Sequence, residues 1–247
     1  MLRVFGGNVV MKMDRPVGPL VEFSGATVPD GRPLNGAYAR LEKVDPDAHG
    51  TALWGQLKEH REVWDYLFEA PPTDEAEFIA GLTASASRED WLGYTICGQD
   101  GVPLGYAFYL NIVPSVGTIE VGNINFSPKL QQTPIATEAM YLMMKEAFAL
   151  GFRRYEWKCN ALNMPSRRAA QRFGFSWEGV FRQHMIVKGR NRDTAWFAMT
   201  DSDWPKISAA FETWLSPENF DDAGQQRQAL RDLTAPARVA NDPAQSL

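Results

Sequence analysis

The middle of the chain alternates between short apolar runs and polar turns. Leu92 to Cys97, Leu104 to Leu110 and Thr118 to Phe126 are apolar or alternating, and turns at 99–101 and 114–115 separate them. Runs of this length, bounded by turn residues, are typical of strands that are joined by hairpins. The pattern therefore predicts three consecutive antiparallel strands.

A long amphipathic helix is predicted after these strands, over Thr133 to Leu150. Its apolar residues fall on one face, Thr133 can cap the first turn, Pro134 suits the first position and Gly151 can end the helix. The later elements are a strand at 154–159, a short helix at 165–173 and a hairpin of 180–187 with 194–199. This order predicts an α+β fold in which helices flank a mixed, mostly antiparallel sheet.

The first part of the chain begins with a segment that has little periodicity. Residues 14–36 are rich in Pro and Gly, which predicts an extended lead-in that lies over the body of the protein. A strand is predicted at 38–42. Helices are predicted from Asp45 towards Glu59, with Asp45 as the cap, and over 74–85 after Thr73.

The last part of the chain is helical after Trp204 and then becomes rich in Ala, Asp, Gln and Pro. From about Ala235 this composition predicts fraying. We therefore expect an N-terminal arm (1–36), one folded domain (37–205), and a C-terminal helical extension with a frayed tail (206–247).

Composition excludes several classes of function. The 247 residues carry 25 Lys and Arg against 30 Asp and Glu, so the net charge of −5 argues against a dedicated nucleic-acid or anionic-membrane binder. No uninterrupted apolar run approaches the ~18 residues of a membrane-spanning helix. The two cysteines and three histidines lack metal-binding spacings, which favours a reducing compartment and no metal. We expect a cytoplasmic protein without nucleic-acid or membrane partners. The sequence is compatible with a homodimer but does not determine the oligomeric state.

A basic segment and a helix start together indicate an anionic ligand. Six positive charges lie within residues 153–172, against the single acid Glu156, and the polar turn before Thr133 leads into a helix N-terminus. Helix N-termini offer free amides and a positive dipole end to phosphate groups. A polyphosphate is therefore one interpretation, with Arg167 and Arg172 as ionic contacts. A solvated helix face is the other.

Residues 163–179 resemble the asparagine-to-"GF…EG" pattern of the GNAT superfamily of acyl-CoA N-acyltransferases, and most closely its RimJ/RimL-like branch. The pattern consists of Asn163 with Ser166, then Gly174-Phe175, then Glu178-Gly179. The sequence TEA on the preceding helix and the segment 189–193 also agree, and the resemblance covers about residues 36–205. It implies a GNAT fold and an acetyl-CoA-dependent N-acetyltransferase that acts on a small-molecule amine or a protein N-terminus.

The resemblance implies a coenzyme A site at the turn before the long helix. Family members usually have basic-Gly-x-Gly there, and its amides hold the pyrophosphate. The chain has Gln131, Gln132, Thr133 and Pro134 instead, so both glycines are replaced and Pro134 has no amide hydrogen. The Thr133 hydroxyl and the amides of Ile135 and Ala136 remain as donors.

Further site residues follow from the resemblance. Asn163 matches the residue that contacts the pantetheine arm, and Ser166 matches a hydroxyl near the leaving thiol in RimL-like members. A helix-start hydroxyl is the alternative for Ser166. The base that takes the amine proton is Glu120, on a strand where several family members keep a glutamate, or His184, whose ordinary pKa suits the task.

The final hairpin borders the acceptor cleft in this fold. Five charged residues of this hairpin would select an acceptor that carries a carboxylate or phosphate, or they serve only to keep the hairpin soluble: Arg182, Lys188, Arg190, Arg192 and Asp193. Aromatic residues such as Trp64 and Tyr66 are core residues or one wall of the acceptor pocket. A non-catalytic acyl-CoA-binding or regulatory module, which has lost turnover together with the glycines, is the alternative function.

Overall fold

The computed structural model describes residues 3–5, 8–10 and 17–245. Its strands are Arg3–Phe5 (β1), Asn8–Val10 (β2), Leu34–Asn35 (β3), Arg40–Lys43 (β4), Leu92–Cys97 (β5), Pro103–Val113 (β6), Thr118–Phe126 (β7), Arg154–Asn160 (β8), Ser176–Val187 (β9) and Arg190–Thr200 (β10). Eight of them form the main sheet in the order β3-β4-β5-β6-β7-β8-β10-β9, and β1 and β2 form a separate two-stranded sheet. Within the main sheet, β7 and β8 are parallel and every other neighbouring pair is antiparallel.

Six α-helices accompany these strands in the described chain. They are Pro46–Leu57 (α1), Glu75–Ala86 (α2), Pro134–Ala149 (α3), Met164–Arg172 (α4), Trp204–Leu215 (α5) and Leu230–Thr234 (α6). Short 3₁₀ turns lie at Arg61–Trp64, Pro217–Asn219, Ala235–Ala237 and Pro243–Gln245. The α+β prediction is confirmed. None of the helices in the described part of the chain is both long and apolar enough to cross a lipid bilayer.

The sheet separates two hydrophobic clusters. Successive residues of a strand point to opposite faces, so Tyr109 belongs to the larger cluster with α3, α4 and α5, whereas Phe108 and Leu110 belong to the smaller cluster with α1 and α2. Leu110 is the register partner of Glu120. The Glu120 side chain therefore lies on the α1/α2 side of the sheet.

Strands β7 and β8 pair over only part of their length. Their parallel register covers Thr118 to Val121 against Arg154 to Trp157, and both strands continue beyond it. A register shift between β6 and β7 lies at this point, where Asn123 has a left-handed φ of 45°. Such a bulge bends the strand and increases its twist. The two strands therefore diverge towards their C-terminal ends and leave a cleft in the sheet.

The lead-in before β3 is fixed to the body of the protein. The amides of Ala26 and Thr27 donate to the carbonyls of Pro114 and Leu150, at 3.0 and 2.8 Å. The segment then joins the main sheet through β3, which pairs with β4. The predicted boundary between residues 36 and 37 thus falls inside this hairpin.

The C-terminal segment is packed, and the prediction of fraying from Ala235 is wrong for the residues that the structure describes. The side chain of Asp242 is fully buried and binds Arg167 of α4. The Ala240 carbonyl accepts from the amide of Trp177 at 3.1 Å. Composition suggested disorder here because one buried ion pair and hydrogen bonds to α4 and β9, rather than an apolar run, hold most of the segment.

Candidate active site

The cleft between β7 and β8 is bordered by two helix starts. The chain passes from β7 through a turn to α3, and from β8 through a shorter turn to α4. Since β7 and β8 are parallel, both turns lie at the same edge of the sheet. The amide ends of α3 and α4 therefore flank one opening, which suits an anionic ligand.

The turn before α3 keeps a left-handed residue without glycine. Gln132 has a φ of 61°, a conformation that glycine adopts at little cost and that costs other residues about 1–2 kcal/mol. Its position is the one where the resemblance places the first glycine. At this position the turn therefore keeps a left-handed backbone although the glycine is replaced.

Two of the predicted coenzyme donors in this turn are already engaged. The Thr133 hydroxyl donates to the Leu130 carbonyl at 2.7 Å, and its oxygen accepts from the Ala136 amide at 3.1 Å. The Gln131 side chain donates to the Phe126 carbonyl at 3.0 Å. Among the described residues, the amide of Ile135 has no hydrogen-bond partner. This amide, rather than that of Ala136, is available to a phosphate.

At the start of α4, Asn163 and Ser166 are held together. The Asn163 side chain caps the helix, since its Oδ1 accepts from the Ser166 amide at 3.1 Å. The Ser166 Oγ accepts from the indole nitrogen of Trp157 at 3.0 Å. The Ser166 oxygen is thus fixed by β8 while its hydroxyl can donate. The helix-start alternative and the donor role are compatible in this geometry.

The two arginines that the sequence suggests for the coenzyme make contacts within the chain. Arg167 is 7% exposed, and its guanidinium binds Asp242 through Nε at 2.7 Å and the Ala161 carbonyl through Nη1 at 2.7 Å. The Arg172 guanidinium lies 4.9 Å from the ring of Trp214 and donates to the Thr137 hydroxyl at 3.1 Å, and burial lowers its pKa to about 10. Arg167 is therefore structural in this fold, whereas Arg172 lies beside the first turns of α3.

Glu120 lies on the cleft wall formed by β7 and is 6% exposed. Its Oε2 accepts from Lys158 Nζ at 2.8 Å and from Asn111 Nδ2 at 2.6 Å. Lys158 also binds Glu156 at 2.8 Å. Burial raises the pKa of Glu120, and the attraction of Lys158 opposes only part of that shift. A carboxylate with a raised pKa is a stronger base than an exposed one.

Gly122 follows Glu120 on the same face of the sheet. A Cβ at this position would lie 2.5 Å from Leu110 Cδ1 and 3.5 Å from Glu120 Oε1. Leu110 therefore packs over Gly122 beside the carboxylate, and any side chain at position 122 would require Leu110 to move.

His184 is the second predicted base, and it lies on the outermost strand, β9. Its side chain is exposed, its Nδ1 lies 3.0 Å from the Thr194 hydroxyl, and its ring lies 6.1 Å from that of Trp196. Lys158 Nζ lies 4.2 Å from the centre of the same Trp196 ring. His184 and Glu120 are thus on one side of the sheet, with Lys158 and Trp196 between them.

The predicted acceptor residues on the final hairpin have unequal positions. Arg182 and Arg190 are exposed on the β9–β10 hairpin. Asp193 Oδ1 accepts from the Gln183 amide at 2.7 Å and from Asn191 Nδ2 at 2.9 Å. The Gln183 amide hydrogen bond lowers the pKa of Asp193, and Gln183 has a left-handed φ of 51°. Asp193 therefore stabilises a bulge of the hairpin.

Arg192 is another of the predicted acceptor residues, and its burial is what the sequence did not indicate. Arg192 is 6% exposed, its guanidinium lies 4.5 Å from the ring of Phe68, and Lys188 of the same hairpin donates to the Trp64 carbonyl at 2.6 Å. The loop after α1 thus packs against the hairpin beside the cleft. The aromatic residues that include Trp64 and Tyr66 were the sequence signal for this wall. The same residues are equally consistent with a place in the hydrophobic core.

Several solved acetyltransferase structures are similar to this chain. A GCN5-related N-acetyltransferase from Brucella melitensis is 42% identical with a TM-score of 0.83, over 86% of this chain and 98% of its own. A probable acetyltransferase (GNAT family) from Chromobacterium violaceum ATCC 12472 is 38% identical with a TM-score of 0.75, over 79% and 100%. RimL, a ribosomal L7/L12 alpha-N-protein acetyltransferase solved with coenzyme A, is 20% identical with a TM-score of 0.60, over 69% and 99%, and shares the fold.

Family-level comparison agrees with these structures. No curated protein sequence matches the chain significantly. A sequence model described as "Acetyltransferase (GNAT) domain" matches residues 40–176, which include the cleft strands, both helix starts and the Asn163-to-Phe175 pattern. The predicted GNAT fold is therefore confirmed, and the chain belongs to the GNAT family of acetyltransferases.

Proposed function

We propose that this protein is an acetyl-CoA-dependent N-acetyltransferase in which an amine attacks the thioester directly. The observation that carries the proposal is the buried Glu120 on the wall of a cleft that two helix starts flank, with the Ser166 hydroxyl at one of those starts. A base and a proton donor at one opening are what acyl transfer to an amine needs.

Each wall of the cleft has a role in the proposed reaction. Acetyl-CoA, when bound, supplies the thioester carbonyl. Glu120 takes the proton of the amine, directly or through water, because burial raises its pKa. Ser166 gives its hydroxyl proton to the departing sulfur, since its oxygen is already fixed by Trp157. The backbone of β7 beyond Val121 no longer pairs with β8, so its amides can stabilise developing negative charge.

Positioning contributes much of the rate in this proposal. Holding the amine beside the thioester converts a reaction between two molecules into one within a complex, worth roughly 7–11 kcal/mol at best. The turn at Gln132 and the amide of Ile135 would hold the pyrophosphate, and Asn163 would contact the pantetheine arm. The acceptor is a small-molecule amine or a protein N-terminus. The latter is what RimL acts on, and a place in the RimJ/RimL-like branch rests on the Asn163-to-Gly179 pattern.

A second function is favoured by one observation, the turn that lacks both glycines. Pro134 has no amide hydrogen, and the Ala136 amide is already used, so fewer donors face a pyrophosphate. A non-catalytic acyl-CoA-binding or regulatory module would tolerate such weakened binding. It would have no need of a base with a raised pKa, so the buried Glu120 favours the enzyme.

Calorimetric titration with acetyl-CoA, followed by a thiol-release assay over a panel of amines, separates these functions. Binding followed by amine-dependent thiol release is the expected result. Binding without amine-dependent release across small amines and peptides would favour the regulatory module. Absence of binding would contradict both functions.

A further inference from the structure

Among the residues that the structure describes, Arg192 is a buried cation without an anionic partner. It is 6% exposed, and no carboxylate of the described chain lies within ion-pair distance of its guanidinium. Its Nε is buried and has no hydrogen-bond partner among the described residues, and Nη1 has only the Met185 sulfur at 3.9 Å. A thioether is a weak acceptor, so the donors of this guanidinium are almost unused.

Burial of a guanidinium in this state is costly. Removing a charge from water costs several kcal/mol unless a counter-charge and hydrogen bonds replace the solvent. Arg167, the other arginine in the described chain with similar burial, has a two-contact pair with Asp242. Arg192 has no equivalent. The difference indicates that its anionic partner is a group that the described residues do not supply.

The surroundings of Arg192 place it at the cleft. The carbonyl of the next residue, Asp193, accepts from the Ala161 amide at 2.8 Å, so Arg192 lies beside the turn from β8 to α4 that leads to Ser166. Burial lowers the pKa of Arg192, and the charge of Glu120 opposes part of that shift. Glu120 forms no ion pair with this guanidinium, and its Oε2 instead accepts from Lys158 and Asn111.

The loop after α1 fixes the orientation of this arginine. The ring of Phe68 stacks on the guanidinium at 4.5 Å, and Lys188 ties the hairpin to the same loop through the Trp64 carbonyl. A guanidinium held by its face presents its edge to a ligand, and that edge matches a carboxylate through two parallel hydrogen bonds. The site is built for a planar anion.

We propose that Arg192 binds a carboxylate of the acceptor, so that the enzyme acetylates amines that carry a carboxylate near the amino group. This inference rests on the proposed acetyltransferase function and names the substrate class of the same cleft. Of the hairpin residues for which the sequence suggested this selection, it assigns the role to Arg192, whereas Arg182 and Arg190 are exposed to solvent.

The test compares amino acids with their carboxamides, which keep the amine and side chain but lose the negative charge. Wild-type kcat/KM should be at least about tenfold higher for the acids, because a bound amide would leave the buried donors of Arg192 unpaired. Arg192→Met should reduce this preference to within about twofold, through KM for the acids. Comparing the preference between enzymes cancels the difference in amine pKa between acids and amides.

Arg190→Met is the matched control, since it removes an exposed arginine from the same strand. Its acid-over-amide preference and its coenzyme A affinity should equal those of the wild type. The affinity of Arg192→Met for coenzyme A should also be unchanged. A weaker affinity, with the acceptor preference kept, would show that the anion belongs to the coenzyme and would overturn the proposal.

Stability and direct binding keep the test independent of turnover. Arg192→Met removes a buried charge and keeps a chain of similar length, so its melting temperature should equal or exceed that of Arg190→Met. A clear loss of stability would make the guanidinium structural and overturn the proposal. If no amine releases thiol, the acetyltransferase proposal fails. Binding of the acids, but not the amides, by calorimetry and its loss in Arg192→Met would then still support the carboxylate site, and equal binding would overturn it.

Discussion

At the scale of single residues, Lys158 influences how readily Glu120 takes up a proton. It pairs with Glu120 and Glu156 and lies over the ring of Trp196, so one ammonium group contacts two carboxylates and an aromatic face. Burial raises the pKa of Glu120 in spite of this ammonium group. The proton affinity of the proposed base is thus a balance between its burial and its pairing with Lys158.

Replacing the proposed base tests its role directly. Glu120→Gln keeps the shape and the Asn111 contact but cannot accept a proton, so turnover should fall about a hundredfold or more. His184→Gln should cost little beyond acceptor affinity. Steady-state rates for both variants, measured with one amine across pH, give the ranking. The opposite ranking would transfer the role of base to His184, and small effects in both would indicate that positioning alone suffices.

Removing the counter-charge should move the pH profile in a definite direction. In Lys158→Met the Glu120 carboxylate stays buried but loses its ammonium partner, so its pKa should rise further. Activity requires the deprotonated form, and the rise of rate with pH should therefore occur at higher pH than in the wild type. Arg154→Met is the control, because Arg154 binds Glu156 and Glu178 rather than Glu120. An acid limb that stays in place or moves to lower pH would contradict this account.

At the scale of elements, the helix starts are where sequence reasoning was most reliable. Thr133 caps α3 and Asp45 caps α1 as predicted, because a short polar side chain before Pro has few other roles. For α2 the cap is Asp74 rather than Thr73, whose amide and hydroxyl instead donate to Glu77. Strands β5 and β7 have the predicted bounds.

The burial of α3 could not be predicted from its pattern. The sequence suggests one apolar face, yet the structure also buries Glu138 and Glu146 on this helix. Glu138 accepts from three backbone amides of residues 37–39, and Glu146 binds Arg32. These partners lie about a hundred residues away in the chain, and periodicity carries no information about them. For the same reason the burial of Arg192 was missed, since a strand pattern does not show which loop covers it.

The left-handed turn before α3 allows a test at this scale. Gln132→Gly should relieve a strain of about 1 kcal/mol, less the entropy that glycine loses on folding, and should keep or strengthen coenzyme A binding. Denaturant unfolding and calorimetric titration measure the two effects. Lys129→Gly, in the same turn at an exposed residue without a left-handed φ, should destabilise the protein. A Gln132→Gly variant that is less stable than Lys129→Gly would show that the turn carries no such strain.

At the scale of the whole molecule, the lead-in and the C-terminal segment each hold in place a helix that borders the cleft. The lead-in is fastened to the end of α3, and the C-terminal segment is fastened to α4 through Arg167 and Asp242. Arg167 also donates to the Ala161 carbonyl, immediately before the turn that carries Asn163. The position of one helix start therefore depends on a carboxylate 75 residues further along the chain.

Removing that carboxylate should lower both the stability of the protein and its affinity for acetyl-CoA. Asp242→Asn leaves Arg167 buried without a counter-charge, which should lower the free energy of unfolding by about 3–5 kcal/mol. Acetyl-CoA affinity should fall as well, because the Ala161-to-Ser166 turn loses its anchor. Asp232→Asn, which breaks the exposed pair with Arg231, is the control and should change neither quantity measurably.

The same pair gives the wild type a specific sensitivity to acid. Although burial alone raises the pKa of Asp242, the hydrogen bonds from Arg167 and its neighbours hold that pKa below its ordinary value. A depressed folded-state pKa means that the pair's stabilisation is complete above the unfolded-state pKa and is lost as pH falls through the folded-state value. The stability difference between wild type and Asp242→Asn should therefore be constant near neutrality and shrink only in strong acid. A difference that instead grows as pH falls would show that the Arg167–Asp242 pair does not hold the C-terminal segment in place.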